Sequence, residues 1–144
     1  MTRFLLDVNV LIALIDPEHI QHDRAHDWFT AQGSYAWATC PLTENGVLRI
    51  VSHVHYPNSR GTPADVAETL SIFCNRGGHE FWPDCITLLD PLRIDRGRLL
   101  ASGQITDTYL LALAQAQGGK FATFDRHIVT DAVIDGSMAL HVIA

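Results

Sequence analysis

Lysine is nearly absent: of the ten basic residues in this 144-residue chain only Lys120 is a lysine, and sixteen acids leave a formal net charge of −6. A broadly basic, phosphate-gripping surface is thereby excluded. A nucleic-acid binder is not, provided that divalent metal neutralises the acids where a phosphate docks. Cysteine is scarce as well. Cys40, Cys74 and Cys85 are odd in number and lack CxxC or Cys/His spacing, so neither a disulfide framework nor a zinc site is indicated, and buried inert thiols are expected. Long apolar runs are missing: the opening run is broken by Asp7, Asn9 and Asp16, too early for a signal peptide or a membrane span. The expectation is a soluble, cytoplasmic protein.

What is present suits one folded domain. With 47% hydrophobic and 18% charged residues, the composition is not that of a disordered chain. A chain of this length buries about two-thirds of its unfolded surface, so a single domain over 1–144 with its own core is expected. Phe4-Leu5-Leu6 reads as a buried strand, followed by a turn near Asp7 and a helix through Val8 to Ile15. A second helix follows Pro17, with Ala25, Trp28 and Phe29 as its core face. Tyr35 to Thr39 is the next strand candidate. Thr39-Cys40-Pro41 supplies a capping hydroxyl and a proline for a helix whose stripe is Val47, Ile50, Val51 and Val54, with Glu44 near its first turn.

After a loop over 56–61, Thr62-Pro63-Ala64-Asp65 carries a capping-box-like pattern for a helix with Val66, Leu70, Phe73 and Cys74 apolar, closed by Gly77-Gly78. Cys85 to Leu89 reads as a strand and Arg96 to Ala101 as a short helix. Thr106-Asp107 starts a strong helix that ends at Gly118-Gly119. Lys120 to Phe124 is a strand running into Asp125, and Leu140 to Ile143 a terminal strand. Strands alternating with helices, without linker or repeat, predict an α/β three-layer sandwich with a mostly parallel central sheet. Ligands in such folds bind beyond the carboxyl ends of the strands, where Asp7 and Asp125 fall.

Asp7, Glu44, Asp107 and Asp125 all stand at element boundaries. Each has an ordinary explanation: Asp7 and Asp125 as turn formers, Asp107 and Glu44 as acids favoured by a helix dipole. Together they imply more. Were they brought within ~4 Å of each other, each ionised pair would repel by about 4 kcal/mol at an effective dielectric of 20, a penalty that a bound divalent cation removes. All-oxygen donors suit magnesium or manganese.

Four segments carry a family resemblance: Leu5-Leu6-Asp7-Val8-Asn9-Val10-Leu11-Ile12-Ala13-Leu14, Thr43-Glu44-Asn45-Gly46-Val47-Leu48-Arg49, Thr106 through Ala114, and Ala122-Thr123-Phe124-Asp125. In order and spacing they resemble the motifs of PIN-domain proteins, specifically VapC-type toxins of toxin–antitoxin pairs, across essentially the whole chain. The resemblance implies an endoribonuclease that uses Mg2+ or Mn2+, with Asp7, Glu44, Asp107 and Asp125 as the acidic, metal-binding site and Asn9 and Thr123 as polar supports. It further implies an RNA substrate, a VapB-like antitoxin partner, a homodimer and inhibition of translation and growth. Where many relatives have glycine soon after the last acid, this chain has Arg126-His127-Ile128, a departure at the substrate rim that bears on RNA selectivity.

Arg126 and the cluster Arg93, Arg96 and Arg98 are candidate phosphate contacts, although a solvated arginine face explains the cluster equally. His22 and His26 have the i, i+4 spacing of metal ligands, yet with His19 they flank an apolar stripe, which favours packing, exposure or partner contact. Two other functions compete. An aspartyl-phosphate phosphatase or phosphotransferase with Asp7 as nucleophile calls for an acid two residues on and a helping lysine, but position 9 is Asn9 and Lys120 opens a strand. A non-catalytic interaction module would have no need of the complete acid set.

Overall fold

The structure is a computed structural model describing residues 1–144. Five short strands, β1 (Phe4–Leu6), β2 (Trp37–Thr39), β3 (His79–Phe81), β4 (Lys120–Thr123) and β5 (Leu140–Val142), form one sheet in the order β3-β2-β1-β4-β5. Every pairing is parallel. Five α-helices accompany it: α1 (Val8–Ile15), α2 (His22–Ala31), α3 (Pro41–Val51), α4 (Pro63–Cys74) and α5 (Ile105–Ala116).

The side-chain alternation of the strands builds three layers. Phe4, Leu6, Trp37 and Ala122 enter the core shared with α1 to α4, whereas Leu5, Ala38 and Phe121 enter the core shared with α5. Both faces are covered, so the central strands read as continuous apolar runs. The capping box of α4 forms as its sequence pattern predicts: Thr62 Oγ1 accepts from the Asp65 N–H at 3.2 Å and Asp65 Oδ2 from the Thr62 N–H at 2.9 Å.

Four local expectations need correction. Residues 85–89 form no strand; the sheet edge is instead taken by β3, whose three residues are too few to show a pattern. The helix expected over 96–101 is a single 3-10 turn, Arg96–Arg98. Val54 lies beyond the end of α3 and is 88% exposed, so it is no part of that helix's buried stripe. All three thiols are free, but Cys85 is exposed, contrary to the expected burial. No helix is long and apolar enough to cross a membrane.

The histidines of α2 pack against α1. His22 Nδ1 lies 2.7 Å from the Ala13 carbonyl and His26 Nε2 3.0 Å from that of Leu14, and the two rings sit 4.3 Å apart. A carbonyl only accepts, so each ring donates there to the otherwise unpaired C-terminal end of α1. These nitrogens serve packing rather than metal ligation.

Candidate active site

From β1 the chain proceeds to β2 and β3 on one side, whereas β4 and β5 lie on the other. The β1/β4 boundary is therefore the topological switch point, the place beyond the carboxyl ends of the strands where folds of this type bind their ligands. Pairing of Leu6 with Ala122 sets the next residues, Asp7 and Thr123, side by side. Asp7 occupies the N-cap position of α1 but makes no side-chain cap bond. Its Oδ2 instead accepts from Thr123 Oγ1 at 2.7 Å, and the same hydroxyl oxygen accepts the Asp125 N–H at 3.1 Å. One buried threonine thus fixes one acid by its side chain and another by its backbone. Asp125 Oδ1 is further engaged by the His127 N–H at 2.8 Å.

Asp107, in the first turn of α5, completes an electrostatic group. Burial pushes its carboxyl up to about 6, and the charges of Asp7 and Asp125 add to the rise. Asp7 is likewise raised, chiefly by burial and in part by Asp125, with the Thr123 hydroxyl pulling the other way. The charges of Asp7 and Asp125 thus both reach Asp107, which puts the three carboxylates at one corner of the molecule.

Glu44 is placed differently. It lies in the first turn of α3, beyond the end of β2, and its Oε2 accepts from Thr39 Oγ1 at 2.7 Å. Its charge is felt by Cys74 and His79 rather than by the three aspartates. Close packing holds α3 against the start of α1: a Cβ at Gly46 would stand 2.8 Å from Val8 Cγ2. The Thr39 hydroxyl, expected to cap α3, does not do so: Cys40 takes the N-cap position, and Thr39 Oγ1 lies 2.7 Å from His79 Nε2. The short, half-polar β3 gave no signal for His79.

As the side chains stand, no three His, Cys, Asp or Glu groups are gathered closely enough to enclose a metal ion. The donor set still fits a hard cation. Asp7, Asp107 and Asp125 offer only oxygens, and the raised proton affinity of Asp7 and Asp107 is the condition that a divalent ion relieves. Asn9 is exposed in the first turn of α1. Arg126 is exposed beside Asp125. Arg93, Arg96 and Arg98 lie between β3 and α5, where Arg98 Nε is 3.9 Å from Asp95 Oδ2 and its Nη1 4.0 Å from Asp131 Oδ2. None of these arginines is paired with a site aspartate.

Comparison with known proteins agrees with this arrangement. The sequence profile of the PIN domain matches residues 4–130. Ribonuclease VapC44 of Mycobacterium tuberculosis (strain CDC 1551 / Oshkosh) is 45% identical over 134 residues, covering 91% of this chain and 92% of that protein. Ribonuclease VapC39 of the same organism is 41% identical over 128 residues, covering 89% and 92%. Among solved structures, the sarcin-ricin loop cleaving toxin VapC20 of Mycobacterium tuberculosis superposes with a TM-score of 0.61 at 9% identity, covering 92% of this chain and 97% of that one. VapBC2 of Rickettsia felis, bound to a promoter DNA fragment, gives a TM-score of 0.52 at 13% identity, with 85% and 88% coverage. With the profile spanning most of the sequence and relatives above 40% identity over nearly their full length, the chain belongs to the PIN-domain family, in its VapC branch.

Proposed function

We propose that this chain is the toxin of a toxin–antitoxin pair, a magnesium- or manganese-dependent endoribonuclease that cuts RNA beyond the carboxyl ends of β1 and β4 and thereby inhibits translation and growth. The observation that carries the reading is the Thr123 hydroxyl that joins Asp7 to Asp125, beside an Asp107 whose carboxyl is raised by burial and by their charges, together with relatives named as ribonucleases. Asp7, Asp107 and Asp125, with Glu44 from α3, are the residues that would hold the metal. When bound, the ion supplies Lewis acidity and charge neutralisation to the scissile phosphate and acidifies water.

The chain's own groups do the rest. Thr123 keeps one oxygen of Asp7 fixed, so the carboxylate presents its other oxygen without having to be ordered at each turnover. Asp107, at the start of α5, can orient the attacking water and take its proton as a general base. Glu44, with one oxygen engaged by Thr39, is the alternative base. Arg126, exposed beside Asp125, is a phosphate contact at the rim. By the family resemblance, water attacks the phosphorus and the P–O3′ bond breaks, so that the products carry 5′-phosphate and 3′-hydroxyl ends.

The substrate is RNA with splayed single-stranded bases, because A-form duplex hides its base edges. The VapBC2 complex among the solved structures supports a VapB-like antitoxin as partner, and the family resemblance implies a homodimer. A nuclease assay on total RNA tests the reading. Wild type should cut with Mg2+ or Mn2+ and stop with chelator, and Asp7→Asn should be inactive. Equal cleavage by both proteins, or by neither, would refute the catalytic assignment.

A further inference from the structure

Beyond the acids, a buried hydrogen-bonded chain runs from β3 through β2 to α3. Thr39 is fully buried, and its Oγ1 lies 2.7 Å from both Glu44 Oε2 and His79 Nε2. A hydroxyl has one proton to donate and lone pairs to accept. Donated to Glu44 as the 2.7 Å bond requires, that proton is unavailable to His79, so the ring must itself donate from Nε2. The chain is therefore directional, from His79 Nε2–H to Thr39 Oγ1–H to Glu44 Oε2.

Its surroundings hold it in place. Parallel pairing of Trp37 with His79 lays the two rings against each other, centroids 4.7 Å apart. Leu48, Leu70 and Cys74 wall the same cleft between α3 and α4, of about 280 Å³, into which Glu44 and His79 face. Within apolar walls such hydrogen bonds strengthen one another.

We propose that His79, acting through Thr39, is a positioning residue for Glu44: the relay fixes Oε2 and leaves Oε1 as the oxygen available to the reaction. This rests on the reading of Glu44 as part of the active site. His79 touches neither substrate nor reacting atoms.

The experiment compares Thr39→Val, His79→Asn, the double variant, Thr39→Ser, His79→Gln and Glu44→Gln by RNA cleavage kinetics. Loss of such a supporting bond lowers activity roughly 10–100-fold. That loss should fall on kcat with KM for RNA unchanged, in Thr39→Val and His79→Asn alike, and the double variant should be no worse than either. His79→Gln, whose amide nitrogen reaches the Nε2 position, and Thr39→Ser should restore most of the rate. Full activity in Thr39→Val and His79→Asn beside an inactive Glu44→Gln would overturn the relay and leave the site reading intact. Losses that simply multiply in the double variant would overturn it too. An active Glu44→Gln would overturn both. Should Thr39→Val fail to fold, the imidazole nitrogen resonances of the wild type decide: proton on Nε2 is required, and a ring protonated only at Nδ1 refutes the relay.

Discussion

Replacing Asp107 by asparagine should stabilise the metal-free protein while abolishing cleavage. The Asp107 carboxyl is raised from 3.8 to about 6 by burial and by the charges of Asp7 and Asp125. A group whose folded pKa exceeds its unfolded value contributes no penalty below both values, and the full penalty above both. Ionising Asp107 therefore costs the fold stability as pH climbs from about 4 to about 6, and the cost persists at neutral pH. Two units correspond to about 3 kcal/mol. Asp107 is half-buried and partly screened by water, so about 1–2 kcal/mol is the better expectation. For a domain of this size that is roughly 3–6 °C in Tm.

Thermal melts of wild type and Asp107→Asn, in chelator, at pH 4 and pH 7.5 provide the assay. The variant should melt higher at pH 7.5, with the advantage fading at pH 4. Added magnesium should raise the wild type and leave the variant less affected, since a ligand stabilises only the state that binds it. A variant destabilised equally at both pH values would refute the electrostatic account of this corner.

Three further outcomes follow from the geometry. Asp16 is fully buried and bonded to Tyr56, Asn58 and Arg60; burial pushes its carboxyl up, but those bonds hold it below its ordinary value, so its contribution is present above pH 4 and lost on further acidification. Asp16→Ala should cost about 3–5 kcal/mol by urea unfolding at pH 7, and progressively less as the pH falls below 4. Gly46→Ala would press a methyl onto Val8 and should cost about 1–3 kcal/mol by the same measurement, together with part of the nuclease rate, because it shifts α3. Thr123→Val should keep the fold by circular dichroism yet lower cleavage roughly 10–100-fold, since Asp7 and Asp125 both lose their shared hydroxyl.

Much of this was legible in the sequence because burial writes itself into pattern. Phe4-Leu5-Leu6 and Phe121-Ala122 are central strands covered on both faces, and the proline and threonine signals at Pro41 and Thr62 mark real helix starts. The three-layer parallel architecture followed from the alternation of these elements. The edge strand β3 was hidden because three half-exposed residues carry no periodicity, while the apolar run at 85–89 imitated a strand without a neighbour to pair with.

In the candidate site, the boundary positions led to the expectation that Asp7, Glu44, Asp107 and Asp125 converge; the charges of Asp7 and Asp125 do reach Asp107, whereas Glu44 stands bonded to Thr39. Thr123 was anticipated as support for the acids through family resemblance, but its double bond was not. That bond depends on the Leu6–Ala122 register, which no local pattern encodes. The bond between Thr39 and His79 is hidden for the same reason, since 40 residues separate them, while the Thr39 hydroxyl goes to the Glu44 side chain instead of capping α3.

Crystals soaked in Mn2+ and measured for anomalous scattering test the account most directly. A single strong peak should stand among Asp7, Asp107 and Asp125, about 2.2 Å from their oxygens, and vanish in Asp7→Asn. An active protein with no peak at that corner, or with its manganese bound elsewhere, would contradict it.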